Sequence, residues 1–137
     1  MKHNESKLQQ SCVRWFRYAY PKYAHLLFAV PNGVATTATQ GRILKAEGMV
    51  AGVSDLILLV PRNDNGALCI EMKTTKGIQR ETQKLWQQEA ESAGNKYIIA
   101  RTFDQFREAI IRYLGEEDGL DIDSARKQLF ELLDKNT

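Results

Sequence analysis

Apolar residues recur three and four apart along the first stretch of the chain. Leu8, Cys12, Phe16 and Ala19, with Val13 and Tyr20 beside them, predict an amphipathic helix over about residues 4–20. Asn4 reads as its N-cap, Glu5 as an acid in its first turn, and Pro21 as its end. Leu26 to Val30 predicts a short strand, closed by a Pro31-Asn32-Gly33 turn. A short helix follows from Ala38 to Glu47, with Gly48 just past it. Two apolar runs, Leu56 to Val60 and Ala67 to Ile70, flank Asn63-Asp64-Asn65-Gly66 and predict a β-hairpin. A second long helix spans about Gln79 to Ala93 and stops at Gly94. Lys96 to Ala100 is a strand. Thr102 or Asp104 then caps a helix through Leu114, whose apolar face is Phe106, Ala109, Ile110 and Tyr113.

The predicted order is α-β-α-β-β-α-β-α, an α/β (α+β) fold with a small mixed sheet flanked by helices. The pattern changes after Gly115. Glu116-Glu117-Asp118-Gly119 is an acidic linker, and Ser124 to Lys135 predicts one more helix striped by Ala125, Leu129, Leu132 and Leu133. The chain therefore divides into a domain over residues 1–114 and a linker with an extra C-terminal helix over 115–137. That apolar stripe must pack on its own domain or on another subunit.

Composition narrows the classes. At 137 residues the chain fits one domain with a real core, and 43% hydrophobic and 26% charged residues are ordinary for a globular protein. A net charge of +2 means that any path for nucleic acid must be local. Cys12 and Cys69 lie in apolar segments without CxxC spacing, which predicts buried thiols and neither a disulfide framework nor zinc. The polar start, Met1 to Glu5, does not read as a signal peptide, and no apolar run approaches the ~20 residues needed to span a bilayer. The expectation is a cytoplasmic protein without membrane contact. No Walker A, Gly-x-Ser-x-Gly or His-Glu-x-x-His motif occurs, His3 and His25 lack ligand spacing, and no organic cofactor is expected.

The candidate chemistry is on the hairpin. Asp55 precedes its first strand, and Glu71-Met72-Lys73 ends its second. Two carboxylates can hold a hard divalent cation through oxygen, and such a cation acidifies water and neutralises phosphate charge. An ammonium beside them can stabilise a transition state richer in negative charge. This is the outline of a phosphodiester-hydrolysing site. Register tests it. Glu71 and Lys73 share a strand face, being two apart. A two-residue Asp64-Asn65 turn would pair Asn63 with Gly66 and Leu58 with Glu71, which puts Asp55 on the opposite face. A three- or five-residue loop centred on Asp64 pairs Asp55 with Lys73 and repairs the geometry, and a β-bulge does the same.

These residues also carry a resemblance. Asp55 with Glu71-x-Lys73 resembles the PD-(D/E)XK nuclease superfamily, although Ser54 stands where the name has proline. Val30-Pro31-Asn32-Gly33, Lys45-Ala46-Glu47-Gly48, Ala51-Gly52-Val53-Ser54-Asp55, Ile70-Glu71-Met72-Lys73, Gln83-Lys84-Leu85-Trp86 and Ala93-Gly94 follow in that order. Together they resemble the VRR-Nuc family of virus-type replication-repair nucleases, from about Glu5 to about Leu114. The resemblance implies a restriction-endonuclease-like core and a DNA endonuclease dependent on Mg2+ or Mn2+. It also implies branched or structured DNA, such as four-way junctions, as substrate in phage or mobile-element replication and repair.

It further implies roles. Asp55 and Glu71 would ligate the cation, with the backbone carbonyl of Met72 adding a ligand. Glu5 would supply a further carboxylate, the alternative being a partner for the helix dipole. Gln9, one turn on, is a possible helper. Lys73 would be the electrostatic catalyst, or else only a counter-charge for Glu71. Gln83, in the Gln-x-x-Trp match, would hydrogen-bond Lys73 or a water beside the cation; its alternative is a solvated helix residue. Lys45 matches a position near the substrate groove. Phosphate contacts would come from Arg14, Arg17 and Lys22, from Arg42 and Lys45, and from Lys76, Arg80 and Lys84, unless these are ordinary solvated charges. Trp15, Phe16, Trp86 and Phe106 fall on apolar stripes and read as core. A homodimer is expected, since a symmetric junction takes two cuts. The rival readings are a non-enzymatic nucleic-acid-binding module on a nuclease fold, and a nuclease subunit that needs a partner.

Overall fold

The computed structural model describes residues 3–31, 37–115 and 130–135. Four helices, α1 (His3–Ala19), α2 (Ala38–Ala46), α3 (Glu81–Ser92) and α4 (Phe103–Leu114), alternate with strands β1 (Leu27–Ala29), β2 (Leu56–Leu58), β3 (Leu68–Met72) and β4 (Lys96–Ala100). The order and type of these eight elements are those the periodicity predicts, and a short 3-10 helix at Pro21–Tyr23, which it does not predict, links α1 to β1. The Asn32-Gly33 turn, the acidic linker and the Ala125 and Leu129 positions lie outside the described residues.

The sheet runs β1-β2-β3-β4, with the first two pairings antiparallel and β3–β4 parallel. Parallel neighbours need a crossover, and α3 provides it. Alternation along β3 separates two faces. Leu68, Ile70 and Met72 join Leu56, Leu58, Leu27 and Ala100 in a core covered by Trp15 and Phe16 of α1 and Phe106 and Ile110 of α4. Cys69 points the other way and packs with Tyr97 of β4 and Trp86 and Ala90 of α3. Trp15 meets Tyr20, Phe103 and Phe106 edge-on, at centroid distances of 6.0–6.2 Å. Both cysteines are free and buried, and burial pushes the Cys12 thiol up to about 12.

Some boundaries move. α1 starts at His3, so Asn4 is inside the first turn and not its cap; Glu5 remains in that turn. α3 starts at Glu81, because Arg80 is extended and its N–H donates to Gln83 Oε1 at 2.7 Å. Thr102, not Asp104, caps α4 through Gln105 N–H. Residues 130–135 are helical. Phe130 and Leu133 line a groove with Trp15 and Phe103, although Phe130, Leu132 and Leu133 all stay exposed.

The hairpin resolves the register question. Its tip is a two-residue turn at Asn63-Asp64, both with positive φ (50° and 66°), closed by the Arg62–Asn65 bridge. Left unmodified, that turn would carry Asp55 to the wrong face. Leu59, Val60 and Pro61 separate Arg62 from Leu58, whereas only Gly66 and Ala67 separate Asn65 from Leu68. The extra residue on the first strand acts as a bulge, and Pro61 there has no N–H for the ladder to miss. The ladder that follows pairs Leu56 with Ile70, so its continuation sets Asp55 opposite Glu71, on the face of Cys69. The outcome is the bulge solution, with Glu71 and not Lys73 as the partner.

Gly52 fixes the loop before Asp55. Its φ is +85°, and a Cβ there would lie 2.2 Å from the Thr82 carbonyl oxygen in the first turn of α3. Gly52→Ala should therefore destabilise the fold by roughly 2–5 kcal/mol, from backbone strain and overpacking together. Urea unfolding measures this; a loss under ~0.5 kcal/mol would mean that the loop and α3 are not in register contact.

Candidate active site

The end of the β2–β3 ladder is closed by a side chain. The Asp55 carbonyl accepts from Val30 N–H at 2.9 Å, on the β1 side. Its carboxylate turns to the β3 side, where Oδ2 accepts from Met72 N–H at 2.7 Å. The carboxylate thus takes the place of the next ladder acceptor and is held against β3. Ser54, which precedes Asp55, is fully buried and donates its hydroxyl proton to the Leu56 carbonyl at 3.1 Å. The turn into β2 is therefore made by a serine that bonds its own backbone two residues on.

Glu71 is buried in the centre of the sheet, 1% exposed. Its Oε2 accepts from the Tyr97 hydroxyl at 2.8 Å. Its Oε1 is buried and has no hydrogen-bond partner among the described residues. Burial raises the carboxyl's pKa; the Tyr97 bond and Lys73 lower it, Asp55 raises it and Arg80 lowers it. Asp55 is likewise raised, first by burial, against the Met72 N–H; Glu5 adds to the rise and Lys73 opposes it. Two carboxylates that burial makes costly to ionise, each within the other's field, leave a site short of positive charge.

Lys73 follows β3 and is also buried, its N–H donating to the Ala100 carbonyl at 3.1 Å. Its stem packs beside Gly77, where a Cβ would approach Lys73 Cδ to 3.3 Å. The Arg101 guanidinium donates to the carbonyls of Thr74 and Gly77 and pins this loop. Neither Arg101 nor Tyr97 stands out in the sequence, because neither matters until β4 is known to lie beside β3.

Other predicted residues divide. The Met72 N–H points toward β2, and in an extended strand the carbonyl of the same residue points to the same side, so it faces Asp55. Glu5 is near enough to raise Asp55's pKa. Yet no group of three or more His, Cys, Asp and Glu side chains able to hold an ion forms among the described residues. Asp55 and Glu71 are the two carboxylates that the strand register sets opposite each other. Gln9 Oε1, one turn beyond Glu5, is buried and lacks a partner among the described residues. Gln83 is 5% exposed, but its oxygen accepts from Arg80 N–H, so it cannot also accept from Lys73 along that lone pair. It is a buried cap of α3, not the solvated residue its glutamine-rich surroundings suggest.

The basic residues sit in different surroundings. Arg14 and Arg17 line a groove of about 470 Å³ between α1 and the edge strand β1, with Tyr18 and Phe28. Lys76 and Arg80 are exposed on the loop after Lys73. Lys84 is paired with Glu81 at 3.2 Å. Lys22 lies over the Tyr23 ring. Arg42 and Lys45 are exposed on α2, which buries none of its residues. No helix of the described residues is long and apolar enough to cross a membrane.

Comparison with known proteins adds two findings. A family model described as the VRR-NUC domain matches residues 3–104. A solved structure named as a VRR_NUC domain protein superposes with a TM-score of 0.71 over 82% of this chain and 89% of that one, at 20% sequence identity. No curated protein matches the chain.

Proposed function

This chain belongs to the VRR-NUC domain family, a nuclease-type family, and on that premise we propose that it is an Mg2+- or Mn2+-dependent endodeoxyribonuclease. The observation that carries the proposal is the pairing of half-buried Asp55 with buried Glu71 on one sheet face, with one Glu71 oxygen unpartnered among the described residues and Lys73 two residues on. The donors are all oxygens, which suits a hard cation. Asp55, Glu71 and the Met72 carbonyl would hold it, and Glu5 would act on it from the first helix.

When bound, the cation supplies an acidified water and neutralises charge on the scissile phosphate. The chain's own residues do the rest. Asp55, fixed by Met72 N–H, and Glu71, fixed by Tyr97, present charge from defined positions. Lys73 extends from the same face toward the phosphate and stabilises the pentacoordinate transition state. Gln83 holds the start of α3 against the Gly52 loop. Arg14, Arg17, Lys76 and Arg80, with Arg42 and Lys45, contact phosphates on either side and position DNA without reading its sequence.

A branched substrate such as a four-way junction, a role in phage or mobile-element replication and repair, and a homodimer complete the proposal. All three rest on the family resemblance and on the two cuts a symmetric junction needs. Four-way junction, flap and linear duplex DNA, incubated with and without Mg2+ or Mn2+, test it. Cleavage should require the cation and favour the junction. A salt-sensitive DNA complex without cleavage would make the protein a binding module. Sedimentation equilibrium on the full chain and on one ending at Leu114 tests the dimer; a monomer at all concentrations rejects it.

A further inference from the structure

We infer that Tyr97 is a positioning residue for Glu71, an inference that rests on the cation-binding reading above. Tyr97 is 5% exposed on β4 and pairs with Cys69, two residues before Glu71 on the same face of β3. Its hydroxyl has one proton to give and lone pairs to fill. Gln79 Nε2 donates to that oxygen at 3.3 Å and to Gln87 Oε1 at 2.8 Å. With the oxygen occupied by a donor, the tyrosine's single proton goes to Glu71 Oε2, at 2.8 Å.

The consequence is a difference between the two oxygens of one carboxylate. Oε2 is satisfied by Tyr97, whereas Oε1 is buried with no partner among the described residues. The chain Gln87–Gln79–Tyr97 holds the carboxylate in one rotation and leaves one defined oxygen for a cation. An outer hydrogen bond of this kind orients a ligand before binding and removes the entropy of ordering it afterwards. Tyr97 touches neither substrate nor cation in this role.

The test uses the full chain carrying Tyr97→Phe, which keeps the ring against Trp86, at a centroid distance of 6.1 Å, and deletes only the hydroxyl. Mn2+ binding by calorimetry and cleavage across a Mg2+ series are both read. Binding should weaken by roughly 10–100-fold, the usual size for losing an outer partner of a ligand. The Mg2+ concentration giving half-maximal cleavage should rise in step, with turnover at saturating Mg2+ largely restored. Gln79→Leu, which frees the tyrosine oxygen without removing the proton donor, should shift both in the same direction by less. If Tyr97→Phe does not fold, this second variant alone decides. Wild-type Mn2+ affinity in a folded Tyr97→Phe protein overturns the inference and leaves the site intact. Turnover lost equally at every Mg2+ concentration, with Mn2+ binding unchanged, overturns it too. A wild-type chain that binds no Mn2+ overturns the site and the inference together.

Discussion

Glu71→Gln should abolish DNA cleavage and at the same time make the cation-free protein more stable. The two effects have one cause. Glu71 is buried, its carboxyl is held above the ordinary range by that burial, and one oxygen lacks a hydrogen-bond partner among the described residues. An amide keeps the shape and still accepts from Tyr97, but carries no charge to desolvate. The gain should be about 1 kcal/mol, within the ~0.5–2 kcal/mol typical of a single stabilising substitution, here made at the cost of function. For a chain of this size that is roughly 3–5 °C in Tm. The pH dependence has a definite sign. A carboxyl whose pKa is raised by folding binds more protons in the native state than in the unfolded one. The contribution of Glu71 and Asp55 to stability without cation is greatest below the ordinary carboxylate pKa and falls as pH rises through the raised values. The Gln variant lacks Glu71's share of that fall and keeps Asp55's. Thermal unfolding in EDTA and in Mg2+, from pH 4 to pH 8, reads both effects. Mg2+ should stabilise the wild type and not the variant. A variant that cuts DNA, or that melts below wild type at neutral pH in EDTA, rejects the assignment of Glu71 as the buried ligand.

Much of the fold was legible because it lies in periodicity. The order of eight elements follows from apolar spacing and turn residues, and β4 keeps its predicted limits of Lys96 and Ala100. What failed was local chemistry that depends on tertiary neighbours. The tight turn falls on Asn63-Asp64, one residue before the Asp64-Asn65 pair, since either dipeptide tolerates positive φ. The bulge that rescues the register occupies Leu59 to Pro61, where nothing but a proline hints at it. Glu71 and Lys73 were readable together, because a spacing of two along one strand fixes a shared face, whereas Asp55 joins Glu71 only through the bulge. Tyr97 and Arg101 were not, because strand order decides which residues border Glu71 and Lys73. Gln83 was readable as a position but not as a cap: its oxygen is used by Arg80.

Lys73→Ala should reduce cleavage by roughly 10²–10³-fold, the usual loss on deleting one group that stabilises transition-state charge. It should also leave cation binding intact or tighter. Here the two roles open to this residue give opposite results. If Lys73 only balances Glu71, its removal leaves two carboxylates, Asp55 and Glu71, without the positive charge that lowers the pKa of each. A divalent cation then meets less competition for the same field, and cleavage at saturating Mg2+ stays close to wild type. If Lys73 acts on the phosphate, saturating Mg2+ cannot replace it, because the cation is already bound when the missing ammonium is needed. The decisive measurement is turnover at saturating Mg2+, taken beside Mn2+ affinity on the same preparation. A tightened affinity with turnover down by two orders of magnitude or more assigns the ammonium to the transition state. A tightened affinity with near-normal turnover reduces it to a counter-ion. Lys73→Arg should not restore the rate, since Gly77 lies against the lysine stem and the broader guanidinium must displace the loop that Arg101 pins to reach the same point.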